Sequence, residues 1–522
     1  MRSGFFPGLL IFGWFLGCMI PACFADDLHS SARTKIKYLL PVHSAAVFFS
    51  GSSDEVFESQ EGTTFFRLTG LPQGRSILIL FSEEVLYNGE RVSEILFVPS
   101  KGEWPSYWSG SEISTKDAQL RSGIKTVASL DEFPPLLDEL LRNDWVSKFL
   151  ILKFPYPGTL TPFNAAYERA TGVFRSFLKI PFAYSKELNS IYQEASQISS
   201  QEFEKIARKA SNYQIYYPEL KQDSILNALA EVRSATDLAR VKTAIQNIKA
   251  DIISLSGILN KLVDKKMPEE INRYKSAALE CAKSLDDWIR AVEPEISSRK
   301  LESVWTILAC ATSECSPMTA KVKAGPDAMS PFTSSSPIKI KAGELLRMQA
   351  GIRYSGYPIE IIRTLPVNGK YSPEQKTLLS IALKAQEAGL KKLKPGVTLS
   401  EVQETMKAAI LSGCKEAGIL KNETDLNKII PEALISHVSL SACEQGSNEP
   451  LESGALVYLK PVICIYPNSP CSQNWWGQFA AISDPVMLSS TGAEFLEITM
   501  PRTPTELESR VIESLPLNPL IR

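Results

Sequence analysis

The chain has 522 residues, 44% of them hydrophobic and 22% charged, with a formal net charge of −2. That length exceeds what one core supports and predicts two or three domains, and the composition is that of a globular protein. With no Lys/Arg run and no net positive charge, the chain lacks the electrostatic footprint of a nucleic-acid binder.

The opening stretch, MRSGFFPGLLIFGWFLGCMIPACFADD, carries one basic residue, Arg2, then a long apolar run, then small residues before Asp26 and Asp27. This is the anatomy of a secretory signal cleaved after Ala25. Residues 1–25 are therefore read as a signal peptide and the protein as exported, periplasmic or extracellular. Two other readings of the same residues stay open. The run is nearly long enough for a membrane anchor, and WFLGC, ending at Cys18, resembles a lipoprotein-processing site. No later segment is long and apolar enough to span a bilayer.

Residues 26–160 read as an α/β domain. Short β-type runs, AAVFF (45–49), SILILF (76–81), EILFV (94–98) and FLILKF (149–154), alternate with turn-forming SGSS, PQG and PSKG, and LDEFPPLLDELL (130–141) is helical. Residues 161–223 read as a helical connecting segment.

Residues 224–504 form the second domain, and 505–522 a C-terminal tail. Over 234–262 the apolar positions Leu238, Val241, Ile245, Ile248, Ile252, Leu255, Leu259 and Leu262 keep helical spacing behind Ser234 as N-cap, which predicts one long helix. A second helix covers roughly 268–292. The Ser- and Pro-rich AMSPFTSSSP (328–337) reads as a loop. A strand-like GELLRMQAGIRYSGY, a turn PVNGKYSP and the helix SPEQKTLLSIALKAQEAGLKKL follow. Thr398 and Glu401 form a capping box that opens another helix. Residues 431–500 return to strands and turns.

Of nine cysteines, Cys18 and Cys23 lie in the signal, which leaves seven with no zinc-site spacing. Cys310 with Cys315, and Cys464 with Cys471, are close enough in sequence to bridge locally, and buried free thiols are the equal alternative.

Two blocks carry a family resemblance. GIRYSGYPIEIIRTLPVNGKYSPEQ, with KPGVTLSEVQ and SGCKEAGIL after it, resembles the C-terminal domain of bacterial aminopeptidase P, in the "pita-bread" metallopeptidase family of Xaa-Pro aminopeptidases, prolidase and creatinase. TTFFRLTGLPQGRSILILF and LFVPSKGEWPSYWSGSE, the latter containing Trp108, resemble that family's N-terminal domain. The order and spacing of both, over most of residues 38–500, imply the family's fold: an α/β N-terminal domain followed by an α+β pita-bread domain of curved antiparallel sheets covered by helices.

The resemblance also implies a site. The family holds two divalent ions, usually manganese, with two Asp, one His and two Glu, and these ions activate a hydroxide for attack on an Xaa-Pro bond. Two adjacent dications need about four negative charges around them. Matched residue by residue, the first Asp position is Gln349 and the second is Glu360, with the following Arg363 and Thr364 intact. The metal His is His437 in ISHVSLSACEQ, and a second, substrate-orienting His is replaced by Glu444. LESGALVYLKPVICIY puts Lys460 at the bridging Glu. AISD puts Ser483 at the last Glu and Ala481 at its Arg, and Phe332 stands where a catalytic His belongs.

Those five ligand positions sum to zero charge where the family's sum to −4. An ammonium about 4 Å from a dication costs on the order of 8 kcal/mol at an effective dielectric of about 20, and a protonated Lys is no ligand. No metal cofactor is therefore expected, and Lys460 and Glu360 are expected to form an ion pair in the space the metals would fill. Creatinase works without metal but through the His replaced here by Phe332. Arg363 and Thr364 are expected to brace their strand. Trp475 and Trp476 are expected on a strand, one facing the core and one the surface.

The expected function is that of an exported, non-catalytic aminopeptidase P-like protein that binds a peptide or protein ligand, as an inactive pita-bread domain of a histone chaperone does. The alternative is an atypical Xaa-Pro aminopeptidase with a rebuilt site. A third reading, a structural protein, fits the family's tendency to form dimers and higher homo-oligomers.

Overall fold

The structure, a computed structural model, describes residues 27–51, 57, 59–99, 113–143, 145–152, 165–177, 186–216, 224–246, 251–309, 314–318, 320–329, 337–420, 429–441 and 446–513. The signal segment, Trp108, Phe332 and Glu444 lie outside these residues.

The chain begins with α1 (Asp27–Leu39), β1 (Ser44–Phe49), α2 (Gln60–Thr69), β2 (Ile77–Tyr87) and β3 (Glu90–Val98). Next come α3 (Thr115–Ser122), β4 (Val127–Ser129), α4 (Phe133–Arg142) and β5 (Lys148–Ile151). These strands read as nearly unbroken apolar runs because both faces of their sheet are covered. Along β1, Ala45, Val47 and Phe49 join one core with α4, while Ala46 and Phe48 join another with α1 and α2.

The described residues of 161–223, read as the connecting segment, include α5 (Ala165–Phe177), α6 (Lys186–Gln197) and α7 (Phe203–Tyr216), and α8 (Ser224–Ala230) and α9 (Ala235–Gln246) follow within the range read as the second domain. Helix α5 packs on the first domain through Tyr167, Ala170 and Phe174. Helices α6 to α9 build a separate small core around Ile191, Ile206, Leu226 and Leu238.

The long helix predicted over 234–262 does not form. Ser234 does cap α9, its hydroxyl accepting from Asp237 N at 3.2 Å, but Asp251–Ser254 is a strand, β6, parallel to β5. Its Ile252–Ile253 pair suits a strand better than a helix, and the sheet edge at β5 offers it backbone partners. The first sheet thus has the order β4-β3-β2-β1-β5-β6 among the described residues. Its last strand lies inside the range 224–504 that the sequence reading gave to the second domain.

Beyond it come α10 (Ser256–Asp264), α11 (Pro268–Arg290), α12 (Ser298–Ala309), β7 (Cys315–Pro317) and β8 (Lys321–Ala324). The hairpin of β9 (Leu345–Tyr354) and β10 (Tyr357–Pro366) precedes α13 (Pro373–Lys392) and α14 (Leu399–Glu416). Ser372 with Gln375, and Thr398 with Glu401, form the capping boxes that start these two helices.

The last elements are β11 (Ile429–His437), β12 (Leu456–Ile465), β13 (Phe479–Ala481), β14 (Asp484–Leu488), β15 (Ala493–Phe495) and α15 (Pro504–Ile512). The segment read as a tail is therefore partly helix, and Leu507 and Val511 are buried in the second domain's core.

One sheet of this domain runs β10-β9-β7 with β8 also on β9, and the other β11-β12-β14-β15 with β13 on β12. They meet where Ile362 and Ser483 exchange backbone hydrogen bonds. The α/β domain followed by curved antiparallel sheets under helices is the architecture expected.

The domains are stapled together. Arg67 of α2 forms a buried ion pair with Glu270 of α11, and Phe66 packs near Tyr357 of β10. The cysteines Cys281, Cys315, Cys414, Cys464 and Cys471 are free thiols, so the local Cys464–Cys471 bridge is not formed; Cys310 and Cys443 lie outside the described residues. Trp475 ends a short 3-10 turn, Gln473–Trp475, rather than sitting on a strand, and Trp475 and Trp476 both pack against the same core. The expected core-and-surface division of the pair fails because a turn, not a strand, carries them.

Candidate functional site

The two curved sheets of the second domain enclose a cavity of about 910 Å³. Strand β10 contributes Glu360, β12 contributes Tyr458 and Lys460, and β11, the edge strand of its sheet among the described residues, contributes Ile435, Ser436 and His437. Of the five positions matched to ligands, Glu360, His437 and Lys460 thus line one space.

Gln349 reaches it by register. On the β9–β10 hairpin Gln349 pairs with Ile362, so Glu360 is its diagonal neighbour on the same face. Gln349 Nε2 donates to Glu360 Oε1 at 2.5 Å. Opposite Glu360 stands Gly351, where a Cβ would come within 2.4 Å of Ile359 O; no larger residue fits beneath the carboxylate. Glu360 N donates to Tyr458 Oη at 3.0 Å.

Ser483 and Ala481 are not in the cavity. Each is 1% exposed, and Ser483 Oγ has no hydrogen-bond partner among the described residues. Beside them Arg363 Nη1 donates to Ser483 O at 3.0 Å and Nη2 to Asp484 Oδ1 at 2.6 Å, while Nε donates to Pro501 O at 2.7 Å. Thr364 Oγ1 donates to Ala481 O at 2.8 Å. Arg363 and Thr364, expected to brace their strand, tie it to the other sheet at the seam between the two.

The ion pair expected between Lys460 and Glu360 is absent: no carboxylate of the described residues lies within 4.0 Å of Lys460 Nζ. Glu360 is engaged by the Gln349 amide, and the Lys460 ammonium lies 4.5 Å from the centroid of the Tyr458 ring, two residues back on the same strand face. Burial pushes the Lys460 pKa below its ordinary value, aided by Arg347 and opposed by Glu360. Burial also raises the Tyr458 phenol, with the Glu360 charge adding to it.

His437 is 5% exposed, with Nε2 3.4 Å from Asp264 Oδ1, long for a hydrogen bond. Burial, then Lys266, lowers its pKa, and Asp264 opposes them. Asp264 is itself occupied, accepting from Ser447 N at 2.7 Å and Ser447 Oγ at 2.6 Å. Among the described residues no group of three His, Cys, Asp or Glu gathers as a metal-ligand set would.

Sequence reasoning missed Tyr458, Asp264 and Arg353. Tyr458 was within reach, since residues two apart on a strand share a face. Asp264 carries no local signal. Arg353 lines the cavity with its guanidinium carbon 3.9 Å from the Phe57 ring centroid, and Nη1 donates to Gly356 O and Leu440 O at 2.9 Å each.

Comparison with known proteins agrees with this architecture. Residues 29–147 match the model of the aminopeptidase P N-terminal domain and residues 272–489 that of metallopeptidase family M24. The Xaa-Pro aminopeptidase of Escherichia coli K12 is 28% identical over 186 residues, 33% of this chain and 42% of the relative. The mitochondrial intermediate cleaving peptidase 55 of Arabidopsis thaliana is 23% identical over 352 residues, 66% of this chain and 65% of the relative. The chain thus matches about two fifths of the first relative's length and just under two thirds of the second's. The solved structure of E. coli aminopeptidase P with the inhibitor Pro-Leu has a TM-score of 0.68 at 19% identity, covering 93% of this chain and 98% of that one. With both domain models matched in this order and the fold shared along nearly the whole chain, the protein belongs to the aminopeptidase P family.

Proposed function

We propose that this chain is an exported aminopeptidase P-like protein that binds a peptide or protein segment in the cleft of its second domain and does not cleave it. The observation that carries the reading is the chemistry of the matched positions. Gln349, His437 and Ser483 are uncharged, Glu360 is spent on an amide, and Lys460 brings a cation. Such a set does not fit two divalent ions, whose charge it leaves unbalanced and one of whose ligand positions it fills with an ammonium that cannot ligate. Ser483, sealed from the cavity, is out of reach of an ion within it.

Binding is supported by what remains. A cavity of about 910 Å³ is of a size for a short peptide, and an edge strand along its wall, β11, presents backbone groups to an extended chain. Export is supported by the residues of 1–25, and a homodimer or larger homo-oligomer is the assembly in keeping with the family.

The experiment is hydrolysis of Xaa-Pro peptides by the purified protein with manganese present. The expected result is no turnover above a blank. Turnover abolished by Glu360→Ala establishes instead the alternative, an atypical Xaa-Pro aminopeptidase with a rebuilt site.

A further inference from the structure

We propose that the cavity takes its ligand by a carboxylate, seated on the ammonium of Lys460. The inference rests on the reading that the cleft binds peptide without cleaving it, and it names the chemistry of the bound end.

Lys460 projects from β12 into the cavity and has no carboxylate within 4.0 Å among the described residues. The Tyr458 ring centroid lies 4.5 Å from its ammonium. A ring face engages at most one of the three N–H donors of an ammonium, which leaves two for a ligand. Glu360, the acidic residue among the described ones that lines the same cavity, accepts from Gln349. A half-buried cation with no carboxylate in contact among the described residues is costly, and a ligand carboxylate lowers that cost while forming charge-assisted hydrogen bonds.

The charge of the cavity selects the anion. Glu360 lines the same space and repels negative charge, and Arg353 already serves two backbone carbonyls. Lys460 and Arg353 against Glu360 leave the described lining one positive charge, which suits a monoanion rather than a phosphate dianion. A peptide offers two monoanions, its C-terminal α-carboxylate and an Asp or Glu side chain, and the chemistry at Lys460 is common to both.

The test is calorimetric titration of the full chain with three probes: the tripeptide Ala-Pro-Ala with a free C-terminus, its C-terminal amide, and Ala-Pro-Glu amide. The expected result is that at least one carboxylate-bearing probe binds on the order of tenfold or more tighter than Ala-Pro-Ala amide. Preference for the free C-terminus assigns the α-carboxylate, and preference for Ala-Pro-Glu amide assigns the side chain. Lys460→Met, with its fold checked by circular dichroism, should abolish the preference, and Lys460→Arg should keep it. Equal binding of all three probes that survives Lys460→Met overturns the inference and leaves peptide binding standing. Absence of binding by all three overturns both.

Discussion

Gln349 and Glu360 share one face of the β9–β10 hairpin, and the amide of the first donates to the carboxylate of the second at 2.5 Å. The sequence reading puts carboxylates of the family at both positions, and two carboxylates at that separation would repel unless a cation lay between them. An amide in place of one of them makes the pair self-sufficient. Replacing Gln349 with Leu strands the Glu360 acceptor and should cost about 1–2 kcal/mol. Gln349→Glu should cost more, through like-charge repulsion. Denaturant midpoints of the three proteins check both.

Lys460→Glu exchanges the cation for a second carboxylate in the cavity that Glu360 lines. The variant should bind one manganese ion on the order of a hundredfold or more tighter than the unaltered protein, since a repulsion becomes an attraction. Calorimetry with manganese alone reads this directly, and equal heats from the two proteins would count against the electrostatic account of the site.

The chain has only three histidines, so proton NMR resolves each ring. Burial lowers the pKa of His29, although its ring shares a hydrogen bond with Arg67 O, and burial likewise lowers that of His437. Two midpoints should therefore fall below the ordinary value of about 6.5. His437→Gln should remove one of them. Asp264→Asn should move that midpoint further down, because the aspartate favours the charged ring. A His437 midpoint at or above the ordinary value contradicts a buried imidazole.

Acid should loosen the seam between the sheets. Burial raises the Asp484 carboxyl, but Arg363, then Arg502 and the hydrogen bonds from Arg363 and Gln386, outweigh it and hold the pKa below its ordinary value. The sign follows: a depressed folded-state pKa contributes stability that is complete above the unfolded value of about 3.9 and is lost as pH falls through the folded one. Urea midpoints measured from neutral pH downward should drop in that window. In Asp484→Asn the protein should be weaker at neutral pH, with less further loss in acid.

Much of this was legible in the sequence for physical reasons that are local. Fully covered strands leave apolar runs such as AAVFF, and helix starts leave capping boxes such as Thr398 with Glu401, realised as drawn. The strand Asp251–Ser254 was not legible, because its two isoleucines fit the helical spacing of their neighbours and only its pairing with β5 reveals it. The site was legible by position and not by contact. Lys460 and Glu360 do line one cavity, yet their expected union fails because hairpin register hands the carboxylate to Gln349. Asp264, distant in the chain from His437, became visible only in three dimensions.

The sixth strand of the first sheet has a consequence for how the protein is made. A ribosome delivers β1 to β5 first, then a helical excursion from residue 165 to 246, and only afterwards residues 251–254. Until that strand emerges, the nascent sheet ends at β5 with an unsatisfied row of backbone groups. The first sheet therefore takes its last strand from residues that follow the helices, after the rest of the sheet has been made. A chain ending before residue 251 would lack that strand and leave β5 as the border of the sheet.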